Sequence, residues 1–248
     1  MERDQLLNYC DTLLNVAAWR DYAPNGLQVE GRAQIDRLVT GVTASAALIE
    51  AALDMRADAI LVHHGYFWKN EPPQITGMKY RRIKQLIQND INLIAYHLPL
   101  DDHPLYGNNA GMADLLGLSN LSRFGHQQLA WAGELTQPCS VESLAALLNA
   151  GLQRPPVVVG STEKWIHRVG FCSGGAQDYL SDAAALGLDA YISGEISERS
   201  THIARECDIV YFSAGHHATE RFGVQRLGRH LAEQFGLEVC YIEIENPV

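Results

Sequence analysis

The sequence has no uninterrupted apolar run near the roughly 18 residues that a membrane span requires, so no transmembrane helix is expected. Cysteine is sparse: Cys10, Cys139, Cys172, Cys207 and Cys240 are five in 248 residues and never form CxxC. An odd, scattered set of thiols excludes a disulfide framework and fits a reducing compartment. The first ten residues, MERDQLLNYC, are charged where a secretory signal is apolar, so the expected location is the cytoplasm. Basic residues are outnumbered, 19 Lys and Arg against 29 Asp and Glu, for a net charge of −10. The densest basic group, Lys79, Arg81, Arg82 and Lys84, reads as the solvated face of an amphipathic helix. This balance argues against extended nucleic-acid binding, though not against a nucleotide as substrate. GxSxG, GxxxxGK[ST] and GxGxxG are absent, which removes support for a serine triad, a P-loop or a dinucleotide fingerprint. There is no internal repeat and no low-complexity tract.

What is present is a set of short apolar runs alternating with amphipathic stretches. Hydrophobic residues make up 47% of the chain, enough for one large or two modest cores. The pattern predicts helices over about 2–16, 46–56 and 78–89, and strands at 38–43, 58–64 and 91–96, a βαβ arrangement of an α/β fold. Pro24, Asn25 and Gly26 signal a turn. Near 120–130 the character shifts, and the block 126–189 holds no clustered ligand residues. It reads as a smaller inserted α/β domain. Residues 1–125 plus 190–248 read as the metal-binding α/β domain, with a mainly parallel sheet.

Three apolar runs end in histidine. Asp58 to Gly65 (DAILVHHG) ends in His63 and His64; Ile91 to Tyr96 runs into His97, with Asp101 beyond; Ile209 to Phe212 leads to His216 and His217, with Glu220 beyond. Ligands of open α/β sheets bind at the carboxyl ends of strands. Adjacent imidazoles at the end of a buried strand are costly unless something satisfies their nitrogens. On a regular strand His63 and His64 would point to opposite faces, which suits one metal per histidine. His216 and Glu220, at i,i+4, share a face at a helix start. Three histidines and two carboxylates are too many for a closed four-ligand zinc site and suit two ions roughly 3.5–4 Å apart. Residue types alone leave open a dinuclear site, a mononuclear site and ordinary buried histidines. His97 is a ligand, a proton-transfer group or a core histidine, with a pocket role favoured. His217 is expected to turn away. Glu195 either faces the cleft or caps a helix. Ser173-Gly174-Gly175 is a weak phosphate-loop signal. His103, His126, His167, His202 and His230 read as surface or packing residues.

VHHG (62–65), HLPLD (97–101) and GHHATE (215–220) resemble the signatures of the Nif-three-like family, whose bacterial members carry the name GTP cyclohydrolase 1 type 2 homolog; DYAPNGLQVEG (21–31) and GNN (107–109) match as well. The resemblance implies two α/β domains, a dinuclear metal site held by His63, His64, Asp101, His216 and Glu220, and a ring-shaped homohexamer. The activity it leads one to expect is that of a metal-dependent hydrolase. The two divalent ions would be zinc, iron, manganese or nickel. The substrate would be a nucleotide or another small phosphorylated molecule, with His97 as the catalytic proton shuttle. The rival class is a non-catalytic metal-binding regulatory or interaction protein. Turnover by the metal-loaded protein separates the two.

Overall fold

The computed structural model describes residues 1–248, which divide into two compact α/β units. Residues 1–107 and 223–245 form the first; residues 108–222, with 246–248, form the second. Strands are numbered in chain order.

The first unit holds a five-stranded sheet of β1 (Gly26–Val29), β2 (Arg37–Thr43), β3 (Ala59–His64), β4 (Asn92–Ala95) and β11 (Glu238–Tyr241), in the order β1-β4-β3-β2-β11. β1 pairs antiparallel with β4, and the other neighbours are parallel. β3 lies at the centre, with Leu61 between Thr40 and Ile94. Its Ile60, Leu61 and Val62 are fully buried, which explains the continuous apolar run. Full burial of such side chains contributes about 1.5–3 kcal/mol each. Helix Ala46–Asp54 starts at Ser45, whose Oγ accepts the Leu48 N–H at 3.2 Å. It buries Leu48, Ile49 and Ala52. Val224, Leu227 and Leu231 of helix Arg221–Phe235 pack with Leu6, Ile35 and Leu38 in another core cluster of this unit.

The second unit holds a six-stranded sheet of β5 (Leu118–Phe124), β6 (Ala130–Ser140), β7 (Val157–Val159), β8 (Trp165–Phe171), β9 (Ala190–Ser193) and β10 (Val210–Ser213), ordered β5-β6-β8-β9-β10-β7. β8, β9 and β10 are parallel, and the remaining pairs are antiparallel. Trp131, Leu148, Ile166, Phe171, Ile192 and Phe212 lie in its core.

The boundaries differ from the expected 126–189 insert. The second unit takes in β5, β9 and β10, so residues 190–222 do not return to the first sheet. The short apolar runs at 190–193 and 210–213 fit any parallel sheet equally well, and only their partners distinguish the sheets. Two edge strands were also unexpected. β1 follows directly on a Pro-Asn-Gly turn, and most of β5 is exposed. After β4 the chain forms a short helix, Leu98–Asp102, with Pro99 in its first turn, where the missing N–H costs nothing. No helix is long and apolar enough to cross a membrane.

Candidate metal centre

In the first unit the end of β3 and the segment after β4 bring three imidazoles together. One donor atom from each of His63, His64 and His97 lies within 4.8 Å of the others. His63 and His64 do not splay to opposite faces as strand alternation predicts. His64 is the last residue of β3, and the two rings stand 4.7 Å apart with planes tilted 45°. His63 is fully buried, and its Nδ1–H donates to the Tyr96 carbonyl at 3.0 Å. That bond fixes the tautomer and leaves Nε2 as the donor nitrogen. Asp101, also buried, places Oδ1 3.5 Å from this Nε2. His64 Nδ1 is 3.3 Å from Thr43 Oγ1.

His97 is held by Asp21, whose Oδ1 is 2.6 Å from His97 Nδ1. The His97 backbone N–H donates to Asn25 Oδ1 at 2.7 Å, and the Leu98 N–H to Asp21 Oδ2 at 3.0 Å. Asn25 Nδ2 and the Tyr22 N–H also donate to Asp21, at 2.8 and 2.6 Å. Burial alone would push the Asp21 carboxyl up. The His97 imidazole and the Asn25 and Tyr22 donors outweigh it and hold the pKa near 2. Trp68 meets His97 edge-on at 4.9 Å and anchors its own Nε1–H on the Gly65 carbonyl.

In the second unit His216 opens a one-turn helix, His216–Thr219, that follows β10, and Glu220 closes it. His216 Nδ1 is 2.6 Å from Glu195 Oε1, and Nε2 is 3.2 Å from Glu220 Oε1. Burial pushes the imidazolium pKa down, but Glu220 and then Glu195 outweigh it and raise it to about 9. The buried Glu220 meets the Gly174 backbone so closely that a Cβ there would lie 2.1 Å from Oε1. Gly174 also has φ +68°, so glycine is required twice over. Its N–H donates to Thr219 Oγ1 at 3.0 Å.

The donor set fits a divalent ion. Two bonds of about 2.1 Å at a tetrahedral angle span about 3.4 Å between ligand atoms. The His63–Asp101 and His216–Glu220 pairs are set at 3.5 and 3.2 Å. Imidazole with carboxylate suits zinc, iron, manganese or nickel. His217 is buried, gives its backbone N–H to the Val248 carbonyl, and adds no donor to a convergent group of three. His103 and His230 belong to an aromatic stack with Tyr106 and Tyr9, and His202 pairs with Glu198 on the surface.

Sequence reasoning gave Asp21 no chemical role and left Glu195 undecided. Each contacts its histidine across a long stretch of chain, 76 and 21 residues, so no local spacing could mark them. The one local sign at Asp21 is its place at the head of a Pro-Asn-Gly turn, where Asp commonly accepts nearby backbone N–H groups.

Two α/β units with imidazole and carboxylate side chains that could hold a metal ion beyond their strand ends define the class of protein. The chain belongs to the Duf34/NIF3 (NGG1p interacting factor 3) family, which it matches over residues 1–247. A Vibrio cholerae relative named GTP cyclohydrolase 1 type 2 homolog is 58% identical over 233 residues, covering 92% of each chain. A solved structure of ybgI, described as a protein of unknown function, is 48% identical and superposes with a TM-score of 0.95 over the whole of both chains. TTHA1606 from Thermus thermophilus is 31% identical, with a TM-score of 0.90 over the whole of both chains.

Proposed function

We propose that the protein is a metal-dependent hydrolase using two divalent ions. The ligands are His63, His64 and Asp101 on the first unit and His216 and Glu220 on the second. One observation carries the reading: each unit sets a histidine nitrogen against a buried carboxylate oxygen at ligand-to-ligand spacing, 3.5 Å for His63–Asp101 and 3.2 Å for His216–Glu220. When bound, divalent ions supply Lewis-acid charge that activates water and polarises the bond attacked. The chain's own residues do the rest. Asp21 accepts the Nδ1–H of His97, so Nε2 is left to take a proton from the attacking water and return it to the leaving group. Trp68 shields one side of this imidazole from solvent. Tyr96, through its carbonyl, keeps His63 in the tautomer that offers Nε2.

The substrate class is a nucleotide or another small phosphorylated molecule. This part of the reading leans on the name of the Vibrio cholerae relative, which speaks of GTP. The test is turnover of a nucleotide panel by protein loaded in turn with zinc, iron, manganese and nickel. Elemental analysis accompanies it, with Asp101→Ala as the comparison. About two ions per chain, with turnover lost in Asp101→Ala, is the expected result. Metal-loaded protein that turns over none of the panel would favour a binding or regulatory role instead.

A further inference from the structure

The metal reading leaves one close carboxylate without a task. Glu195 is not among the proposed ligands, yet its Oε1 lies 2.6 Å from His216 Nδ1. Its side chain is 39% exposed, and an ordinary surface pair of that kind contributes little. The backbone around it is not ordinary. Tyr211 and Ser193 both donate their hydroxyls to the Glu195 carbonyl. Gly194 N–H donates to the Gly174 carbonyl at 2.8 Å, and the Gly194 carbonyl accepts from Gly215 N–H and Ser213 Oγ at 3.0 and 3.1 Å. A Cβ on Gly194 would come within 2.5 Å of the His216 Cα, so this loop is pressed onto the histidine's own backbone. The backbone that carries Glu195 is therefore fixed against that of His216.

We propose that Glu195 is a positioning residue for His216. It accepts the Nδ1–H, fixes the tautomer and ring plane, and aims the Nε2 lone pair at the ion that Glu220 shares. The inference rests on the metal reading above. Its chemistry is general: a carboxylate on the far nitrogen orients a metal-binding imidazole and makes it more basic, and losing such a partner typically costs 10- to 100-fold in metal affinity. Glutamine keeps an acceptor oxygen but not the charge, so it should recover part of what alanine loses.

The experiment uses the full chain as wild type, Glu195→Ala, Glu195→Gln and His216→Ala, with zinc as the probe. Zinc affinity is measured by competition with a chromogenic chelator, and the His216 tautomer by long-range proton–nitrogen NMR on zinc-loaded protein. Circular dichroism checks the fold. The expected result is a 10- to 100-fold weaker affinity in Glu195→Ala, a smaller loss in Glu195→Gln, and a hydrogen-bonded Nδ1–H resonance present in wild type but lost in Glu195→Ala. Glu195→Ala that binds zinc as wild type does, while His216→Ala is impaired, would overturn the positioning role and leave the metal reading standing. Wild type that takes up no zinc, or His216→Ala that binds as wild type does, would overturn the metal reading and this role with it.

Discussion

Asp21→Asn removes one charge at the point where the segment 21–25 is tied to His97. In the folded chain Asp21 accepts from His97 Nδ1, Leu98 N–H, Asn25 Nδ2 and Tyr22 N–H. Asparagine keeps one acceptor oxygen and turns the other into a donor that faces donors. The carboxyl pKa falls from 3.8 to about 2 on folding, set by burial on one side and by His97 and its neighbours on the other. A shift of that size is worth about 2 kcal/mol before the partial solvent access of the carboxylate is considered, and on the order of 1–2 kcal/mol after it. Because the folded pKa is depressed, this stability is fully present above pH 3.8. It is lost as pH falls through about 2. Urea unfolding of the metal-free chain, in EDTA and followed by circular dichroism, should show Asp21→Asn less stable than wild type by that amount at pH 7. The gap should shrink between pH 4 and pH 2. Equal gaps at pH 7 and pH 2.5 would mean that the variant loses packing rather than charge, and no gap at pH 7 would refute the account of Asp21 altogether.

Gly174→Ala should displace Glu220, since a Cβ would sit 2.1 Å from its Oε1, and φ +68° adds a strain cost on the order of 1 kcal/mol. Equilibrium dialysis should find weaker zinc uptake, and undiminished uptake would refute the collision. His216→Ala should lower zinc occupancy while His217→Ala leaves it nearly unchanged; equal losses would mean that the wrong histidine was chosen. The metal-dependent stability lost in His216→Ala is the linkage term, about 2.7 kcal/mol at a zinc concentration of 100 Kd. Zinc uptake should also weaken as pH falls below about 9, because His216 holds a proton between Glu220 and Glu195 that the ion must displace. Calorimetry in buffers of different ionisation enthalpy counts that proton, and zinc binding at pH 7.5 without proton release would contradict the assignment. Light scattering should give a homo-oligomer, with six chains the number implied by the family resemblance; a monomer at micromolar concentration would contradict it.

The candidate donors could be picked out in the sequence because their signal is local. A buried strand reads as an apolar run, and an imidazole at its end stands out against it, as at Val62-His63-His64. Asp101 and Glu220 lie four residues from a histidine in the same turn or helix, so they too fell within reach of spacing arguments. What escaped was non-local. β9 and β10 look like any parallel strand, and their membership of the second sheet is decided by pairing with β8, itself about twenty residues before β9. β1 and β5 are edge strands, where one side of the ladder is open and the apolar demand is relaxed. The convergence of His63 and His64 escaped because strand alternation predicts opposite faces, whereas the two rings stand 4.7 Å apart at the end of β3.

Asp21 and Glu195 make the same contact, a carboxylate oxygen 2.6 Å from an imidazole Nδ1, yet the proposed roles of the two histidines differ. The difference lies in what faces the second nitrogen. For His216 it is the buried carboxylate of Glu220 at 3.2 Å, so the ring stands between two negative charges. A site of that kind favours a cation, which in the proposed reading is a divalent ion. For His97 the second nitrogen belongs to a group with the imidazoles of His63 and His64, which are donors without negative charge when neutral. The proposed division between a ligand and a proton carrier rests on the second contact of each ring, because the shared first contact bears on tautomer and orientation alone.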